Sequence, residues 1–361
     1  MTASPKHQAA RPRHKLTRAE ALRVKLLRLG NWEYWPSWAL YTPIVFYGLL
    51  QMLRGRALDF AASNPSLPLG GMMGDHKYIP LKALEERLPA FVPDATLLDA
   101  AMGVEKSLEM LTLWMQKQGH GYPLVLKPDT GCRGQDVAII RSEEQAVAYL
   151  SSNPVPLVAQ AYVSGVEFGI FYMNDSRSPD TPGFIYSLAE KTFPHIVGDG
   201  VTPLRALLLR DKHARYTAAH LLHLHQDQLD RVLTAGEKFQ IVELGTHSKG
   251  SIFVDKNHLI TPELTAAAHK AAQAIGGYHV GRFDVRAPSV EAFQAGDFKI
   301  LEANGVTAEA AHLYSPGTSL SRAWKILLRQ WQLAYAIGHE NKKQGHAKVT
   351  LQEVMSALFS K

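Results

Sequence analysis

Apolar residues recur along the chain in two patterns: short runs typical of strands, and longer stretches with helical spacing. The strand pattern is found at residues 96–98, 122–127, 136–140, 156–162, 166–173, 184–189, 239–243, 280–286 and 297–303. The helical pattern is found at residues 76–87, 105–118, 143–151, 203–209, 216–232, 262–276 and 319–337. Strands and helices therefore alternate through most of the chain, which predicts a mixed α/β (α+β) fold.

The N-terminal segment has a different pattern. Residues 1–16 are polar and basic, which is typical of a leader without a core of its own. Thr17 and Glu20 then have the spacing of a capping box, so a helix is expected to begin there and to end at Gly30. Its apolar positions recur at helical spacing with cations between them: Ala19, Leu22, Leu26 and Leu29.

Residues 35–53 carry no charge over 19 positions. Three interpretations stay open: a helix buried against the body of the protein, an interfacial membrane anchor that works with the basic helix, or a membrane span. The density of Trp and Tyr favours an interface over a span, and Pro36, Pro43 and Gly48 interrupt the run. A short strand is expected directly afterwards, at residues 57–62.

Composition narrows the class of protein. The 361 residues are 46% hydrophobic and 20% charged, which argues against a disordered chain, a collagen-like fibre and a polytopic membrane protein. The lone cysteine, Cys132, excludes an internal disulfide and a zinc site built on a cysteine cluster. A cytoplasmic location is therefore expected.

The net charge of +6 is concentrated at one end of the chain. Residues 1–30 contain eight cations and one anion, so the remaining residues are close to neutral, at about −1. A basic surface for nucleic acid would need cations on the folded body, and we therefore expect no nucleic-acid partner. The excess points instead to a peripheral contact of residues 1–56 with the inner face of a membrane.

Two strand patterns near the C-terminus carry the strongest chemical signal. Alternation puts Arg282, Asp284 and Arg286 on one face of their strand, and it puts Glu302 and Asn304 together on the next strand. A hairpin between the two strands would bring these side chains close to one another. Carboxylate and amide oxygens are ligands that Mg²⁺ uses together with waters and substrate phosphates, so the pair predicts a metal site.

A second motif lies at the end of another predicted strand. The apolar run before Lys127 delivers its ammonium group to the strand end, and a loop that contains Gly131 and Gly134 follows. Glycines let backbone amides approach phosphate oxygens closely. The order of residues differs from that of a P-loop, so the motif predicts another type of phosphate-binding loop.

Together, these motifs resemble those of the ATP-grasp superfamily, in particular its carboxylate–amine ligases such as D-alanine–D-alanine ligase and cyanophycin synthetase. The resemblance covers about residues 71–336. It implies the ATP-grasp fold, in which two α+β lobes clamp ATP, here with a reduced N-terminal segment. The implied divisions are residues 1–70 for the leader and reduced N-terminal domain, 71–162 for the central lobe, 163–336 for the C-terminal lobe, and 337–361 for a linker and terminal helix.

The resemblance also implies roles for individual residues. The metal ligands would be Asp284, Glu302 and Asn304. The nucleotide contacts would be Lys77, Lys127, Gly131, Gly134, Gln160, Ala161, Tyr162, Val163, Glu167 and Lys191. The catalytic cations would be Lys127, Lys191 and Arg282, and the substrate contacts would be His247, Lys249 and Ser315.

The implied activity is ATP-dependent formation of an amide or peptide bond between a small carboxylate, such as an amino acid, and an amine. The reaction would pass through an acyl phosphate and would use Mg²⁺, with Mn²⁺ as a possible substitute. The alternative is a membrane-associated ATP-grasp protein that binds nucleotide without ligase activity. The identities of the acid and amine and the oligomeric state stay open.

Overall fold

The computed structural model describes residues 14–72, 76–99, 102–131, 134–175, 182–346, 349–350, 352–354 and 356. The chain forms two compact units. The small unit is drawn from Met1–Leu40 and Thr192–Ile252, and the large unit is drawn from Tyr41–Lys191 and Phe253–Lys361. Each unit is therefore built from two stretches that are far apart in sequence.

The predicted mixed α/β fold is confirmed. The helices are α1 (Arg18–Leu29), α2 (Ser37–Leu40), α3 (Thr42–Leu53), α4 (Tyr78–Arg87), α5 (Gly103–Gln118), α6 (Glu143–Ser152), α7 (Leu204–Arg210), α8 (Ala218–Leu224), α9 (Pro262–Ile275), α10 (Val290–Gln294) and α11 (Leu320–Lys343). The strands are β1 (Ala95–Leu98), β2 (Leu124–Pro128), β3 (Ala138–Ile140), β4 (Leu157–Ala161), β5 (Val166–Met173), β6 (Phe184–Thr192), β7 (His195–Val197), β8 (Lys238–Gln240), β9 (Ile252–Asp255), β10 (Val280–Ala287) and β11 (Lys299–Asn304).

The first sheet of the large unit has the strand order β1-β4-β2-β3, with antiparallel neighbours. Its buried face packs against α5 and α6 through Leu111, Leu126, Ala146 and Leu157. Alternation along β2 then directs its apolar residues into this core, and the strand ends at Lys127 and Pro128. The sheet therefore presents the Lys127 ammonium group at a strand end, as the sequence pattern predicted.

The second sheet of the large unit has the order β11-β10-β5-β6-β9. Phe283 on β10 enters the core of the large unit, where Phe168 stacks on Phe293 at a centroid distance of 4.0 Å. Because side chains alternate along a strand, the neighbours of Phe283 point to the opposite face. The expected antiparallel pairing of β10 and β11 is present, and helix α10 lies in the connection that was predicted as a simple hairpin.

The small unit contains α1, α7, α8 and the β7–β8 pair. The predicted capping box of α1 is present, because Thr17 and Glu20 each bond to the other's backbone amide. Arg205 on α7 donates to both carboxylate oxygens of Glu20, at 2.9 and 2.7 Å, and this bond lowers the pKa of Glu20 to about 2. This long-range contact fastens α1 to its unit.

The prediction of a strand at residues 57–62 is wrong, because Asp59–Ala62 is a 3₁₀ helix. Asp59 is buried, and its carboxylate is held by His339 at 2.8 Å and by Lys342 at 2.7 Å, both on α11. The segment therefore packs against α11 and does not pair with a sheet. Helix α11 itself continues to Lys343, so the boundary expected after residue 336 falls inside a helix.

The structure differs from the sequence-based prediction in two further places. The helix expected at 216–232 ends at Leu224, where His225 turns its ring toward the carbonyl oxygen of Ile241, 2.9 Å away. Strand β9, an edge strand, was not predicted, because its run of four residues is too short for a clear alternation.

The uncharged residues 35–53 form α2 and α3. Helix α3 has 12 residues, which is about 18 Å of helix. Among the described residues, none of the helices has both the length and the apolar character that a membrane span requires. Only Ile44 and Gln51 of α3 are buried.

Gly338 on α11 is expected to be essential for stability. A Cβ atom at this position would lie 1.7 Å from the carbonyl oxygen of Asp59, which is backbone and cannot move aside. We expect Gly338→Ala to lower the free energy of unfolding by about 2–3 kcal/mol in urea denaturation. The matched control is Gly48→Ala on α3, where the new Cβ would make an ordinary contact with Tyr335 Oη at 3.5 Å and helix propensity would improve stability by about 0.5–1 kcal/mol. Equal midpoints for the two variants would contradict the packing argument.

Candidate active site

The three predicted metal ligands meet on β10 and β11 in the large unit. Asp284 and Glu302 are opposite one another in the strand register, and so are Arg282 and Asn304. The amide nitrogen of Asn304 lies 3.4 Å from Asp284 Oδ2. The side chain of Glu302 is 28% exposed, so this cluster is open on one side.

This oxygen set fits a magnesium ion. In the described part of the chain, no group of three or more His, Cys, Asp and Glu side chains could hold a metal by itself. The site has two carboxylates and one amide instead. Mg²⁺ is commonly held by one or two carboxylates while waters and substrate phosphates complete its shell, so Asp284, Glu302 and Asn304 suit that ion.

Two cations compensate the buried carboxylate of Asp284. Arg282 donates to both of its oxygens, at 2.7 and 3.2 Å, and Lys191 Nζ lies 3.1 Å from Oδ2. Burial by itself raises the pKa of Asp284, but the two cations outweigh it and hold that pKa below its usual range. Burial opposes the charge of Arg282 as well, yet Asp284 raises the pKa of that guanidinium above its usual value.

A second carboxylate extends this network along β5. Glu167 accepts from Lys191 at 3.1 Å and from Arg286 at 2.9 Å, and both Glu167 and Lys191 are buried. Arg286 also donates to the carbonyl oxygen of Val163 at 2.7 Å, and its guanidinium lies 5.3 Å from the centre of the Tyr162 ring. Lys191 therefore stands between two carboxylates, and Arg286 ties β10 to the segment that follows β4.

Lys127 is buried at the end of β2. Its ammonium group donates to Gln160 Oε1 at 3.0 Å and to the carbonyl oxygen of Leu301 at 2.9 Å. Leu301 immediately precedes Glu302, so this bond places a cation next to the candidate metal ligands. Burial lowers the pKa of Lys127 to about 8, and the charge of Glu302 offsets part of that decrease.

Lys77 lies just before α4 and is also buried. Its Nζ atom donates to the carbonyl oxygen of Gly131 at 2.6 Å and lies 3.8 Å from Glu302 Oε1. Gly131 and Gly134 have φ values of +143° and +64°, in the region that favours glycine. Cys132, between them, lies outside the described residues.

Sequence reasoning assigned no role to three residues that border this region, namely His76, Asp129 and Arg286. Asp129 accepts from the backbone amide of Tyr78 at 2.9 Å, and its other oxygen lies 2.6 Å from His76 Nδ1. Asp129 therefore connects the strand end after Lys127 to the start of α4. Strand alternation puts Arg286 on the same face as Arg282 and Asp284, and this pattern is the sequence signal that could have indicated its part in the network.

The three predicted substrate contacts belong to different units of the chain. Ser315, in the large unit, accepts from the backbone amide of Asp255 at 3.0 Å. His247 and Lys249 form a 3₁₀ helix in the small unit, where His247 Nε2 lies 3.6 Å from a carboxylate oxygen of Glu33. The substrate roles of these residues stay predictions.

The chain is similar to two curated cyanophycin synthetases. It is 25% identical over 215 residues to the enzyme from Synechocystis sp., and 25% identical over 228 residues to the enzyme from Geminocystis herdmanii. These matches cover 52% and 56% of this chain, but they span only 22% and 25% of the relatives. No protein-family profile matches the chain.

Among solved structures, the chain is similar to D-alanine–D-alanine ligase from Bacillus anthracis, with 16% identity, coverage of 77% of this chain and 71% of that chain, and a TM-score of 0.44. It is also similar to a bifunctional glutathione synthetase from Pasteurella multocida, with 17% identity, coverage of 72% and 36%, and a TM-score of 0.37. A third similar structure is the ATP-grasp ligase PsnB, with 13% identity, coverage of 71% and 60%, and a TM-score of 0.38.

The lysine and glycine loop motif, the Arg-x-Asp strand and the Glu-x-Asn strand occur in the order that the resemblance requires, and the curated relatives point to the same group of proteins. The chain is therefore similar to ATP-grasp carboxylate–amine ligases.

Proposed function

We propose that the protein is an ATP-dependent ligase that joins a small carboxylate to an amine and releases ADP and phosphate. The observation that carries the proposal is the meeting of Lys127 with the candidate metal carboxylates. Its ammonium group is bonded to the carbonyl oxygen of Leu301, the residue before Glu302, and Glu302 is opposite Asp284. The cation proposed for phosphate binding and the carboxylates proposed for metal binding thus lie in one region of the large unit.

The buried cations account for the first step. A carboxylate is a poor electrophile, so it must first attack the terminal phosphate of ATP to form an acyl phosphate. Negative charge spreads over the phosphate oxygens during this transfer, and Lys77, Lys127 and Arg282 would stabilise it. Because these side chains are largely shielded from water, their charges act with little screening.

Asp284, Glu302 and Asn304 would hold Mg²⁺, or Mn²⁺ in its place, since both ions accept oxygen ligands. When bound, the ion would supply positive charge that offsets the negative charge of the phosphate oxygens. Arg282 and Lys191 keep Asp284 ionised and correctly oriented for this role.

The remaining nucleotide contacts would come from the segment at the end of β4. Gln160, Ala161, Tyr162 and Val163 would contact the adenine, and Glu167 the ribose. Support for this comes from Arg286, which fixes both Val163 and Glu167 through hydrogen bonds. The loop that contains Gly131 and Gly134 would cover the phosphates and exclude water, which would otherwise hydrolyse the acyl phosphate.

In the second step, the amine would attack the acyl carbon to form the C–N bond, phosphate would leave with the electrons of the broken C–O bond, and the proton lost by the amine nitrogen would pass to the departing phosphate or to water. We assign His247, Lys249 and Ser315 to substrate binding, and amino acids to the substrates, as proposals. We further propose a cytoplasmic enzyme that contacts the inner face of a membrane through residues 1–56. The competing function, nucleotide binding without ligation, makes a different prediction below.

Replacement of the two central residues is expected to abolish turnover. We expect Lys127→Ala and Glu302→Ala each to lower ADP release at least about 100-fold, because each removes charge that stabilises phosphoryl transfer. ADP release would be measured with a panel of carboxylate and amine pairs. The exposed residues Lys82 and Glu86 on α4 provide matched controls, and Lys82→Ala and Glu86→Ala should leave the rate unchanged.

Near-normal ADP release in both site variants would overturn the assignment of the site. ATP binding by the unaltered protein, without ADP release for any pair, would favour the competing function without ligase activity.

The affinity for ATP is expected to decrease at alkaline pH. Burial lowers the pKa of Lys127 to about 8, so the ammonium group is charged below that pH and loses its proton above it. If the charged form binds phosphate, the affinity should fall by up to about tenfold between pH 7 and pH 9. Lys127→Arg, which stays charged, should remove this dependence, whereas Lys82→Arg should retain it. An equal pH dependence in the wild type and Lys127→Arg would contradict this role of Lys127.

A further inference from the structure

Helix α3 of the large unit has an outward face made of large apolar side chains, with the exposed Thr42 in its first turn as the polar exception. Its exposed members are Val45, Phe46, Leu49, Leu50, Met52 and Leu53. Leu53 is 82% exposed and Phe46 is 67% exposed. We call these six residues the α3 apolar face. None of them belongs to the candidate active site.

The arrangement of the α3 apolar face follows from helix geometry. At 3.6 residues per turn, the six positions fall within one arc of about 160°, while the buried residues Ile44 and Gln51 fall on the opposite side. Single exposed apolar residues are common on soluble proteins, but a continuous patch marks an interaction surface. The helix is therefore fixed to the protein by one side and offers the other side to a partner.

The charges beside the α3 apolar face indicate the partner. Arg54 and Arg56 follow the helix directly, and both are exposed. No acidic residue occurs from residue 34 to residue 58, and the next one, Asp59, is buried against α11. An apolar face followed directly by two exposed cations complements a surface that has an apolar interior and anionic groups at its edge.

Helix α1 of the small unit has the same combination of features. Leu22, Leu26 and Leu29 form a stripe at helical spacing, and each is between 58% and 61% exposed. Four exposed cations lie on the same helix, namely Arg18, Arg23, Lys25 and Arg28. The one acidic residue of α1, Glu20, is already paired with Arg205. Each unit thus carries a basic apolar helix surface independently.

We propose that the α3 apolar face inserts into the headgroup region of a bilayer that contains anionic lipids. The six apolar side chains would leave water and enter the bilayer interface, and Arg54 and Arg56 would bind headgroup phosphates. An interfacial position agrees with the length of α3, about 18 Å, which is too short to cross the hydrocarbon core. Basic, apolar α1 would add a second contact of the same kind. This proposal specifies the surface and the lipid class for the membrane contact proposed above, and it is independent of ligase activity.

The test is co-sedimentation of the full-length protein with vesicles of phosphatidylcholine alone and with vesicles that also contain phosphatidylglycerol. We expect binding to the anionic vesicles only. The double variant Phe46→Glu/Leu53→Glu should weaken this binding at least about tenfold, because it puts charge into the inserted face. Arg54→Glu/Arg56→Glu should weaken it by a similar factor, and added salt should weaken the binding of the unaltered protein.

The matched control is Leu113→Glu on α5, since Leu113 is a 56% exposed apolar residue of the large unit that lies outside the α3 apolar face. It should bind vesicles like the wild type. All substituted positions are exposed, and thermal unfolding would verify that each variant is folded. ADP release, measured in parallel without vesicles, should be equal in the wild type and the α3 variants. A failure of the ligase proposal would therefore be distinguishable from a failure of the membrane proposal.

Three results would overturn the proposal. The first is unchanged vesicle binding by Phe46→Glu/Leu53→Glu, which would move the contact to another part of the chain. The second is a wild type that binds neither type of vesicle. The third is a self-associated wild type, without vesicle binding, that Phe46→Glu/Leu53→Glu converts to a monomer, which would assign the face to a second copy of the chain.

Discussion

The opposition of Asp284 and Glu302 on neighbouring strands is the constraint on which the rest of the site depends. Like charges directly across an antiparallel pair destabilise a sheet, and burial of Asp284 increases that cost. Arg282 and Lys191 offset it by direct bonds to Asp284. Lys191 also donates a hydrogen bond to Glu167, and the carboxylate of Glu167 accepts another from Arg286. The network is therefore a series of compensating charges that begins with two opposed carboxylates.

The grouping of these side chains could largely be predicted from the sequence. Strand alternation fixes which side chains share a face, so Arg282, Asp284, Glu302 and Asn304 could be grouped from the sequence pattern alone. The apolar run before Lys127 likewise fixed its position at a strand end. Both inferences depend on residues that are neighbours in sequence or in an adjacent strand.

The features that could not be predicted depend on contacts between distant parts of the chain. The strand pattern at residues 57–62 gave no sign that Asp59 would bind His339 and Lys342, nearly 300 residues later. The small unit combines the N-terminus with Thr192–Ile252, and the bond between Glu20 and Arg205 has no local signature. The sequence around Lys77 fits a solvated lysine equally well, because its burial and its bond to the carbonyl oxygen of Gly131 involve a segment more than 50 residues away.

The hydrogen bonds of Lys127 have a consequence for turnover. In this structure, two of the three N–H groups of its ammonium donate to the protein's own oxygens, those of Gln160 and Leu301. A phosphate that draws on more than the remaining N–H group must compete with these internal acceptors, and the internal hydrogen bonds re-form when the phosphate departs. In the proposed function, these internal acceptors would limit how tightly nucleotide is held and would help the spent nucleotide to leave.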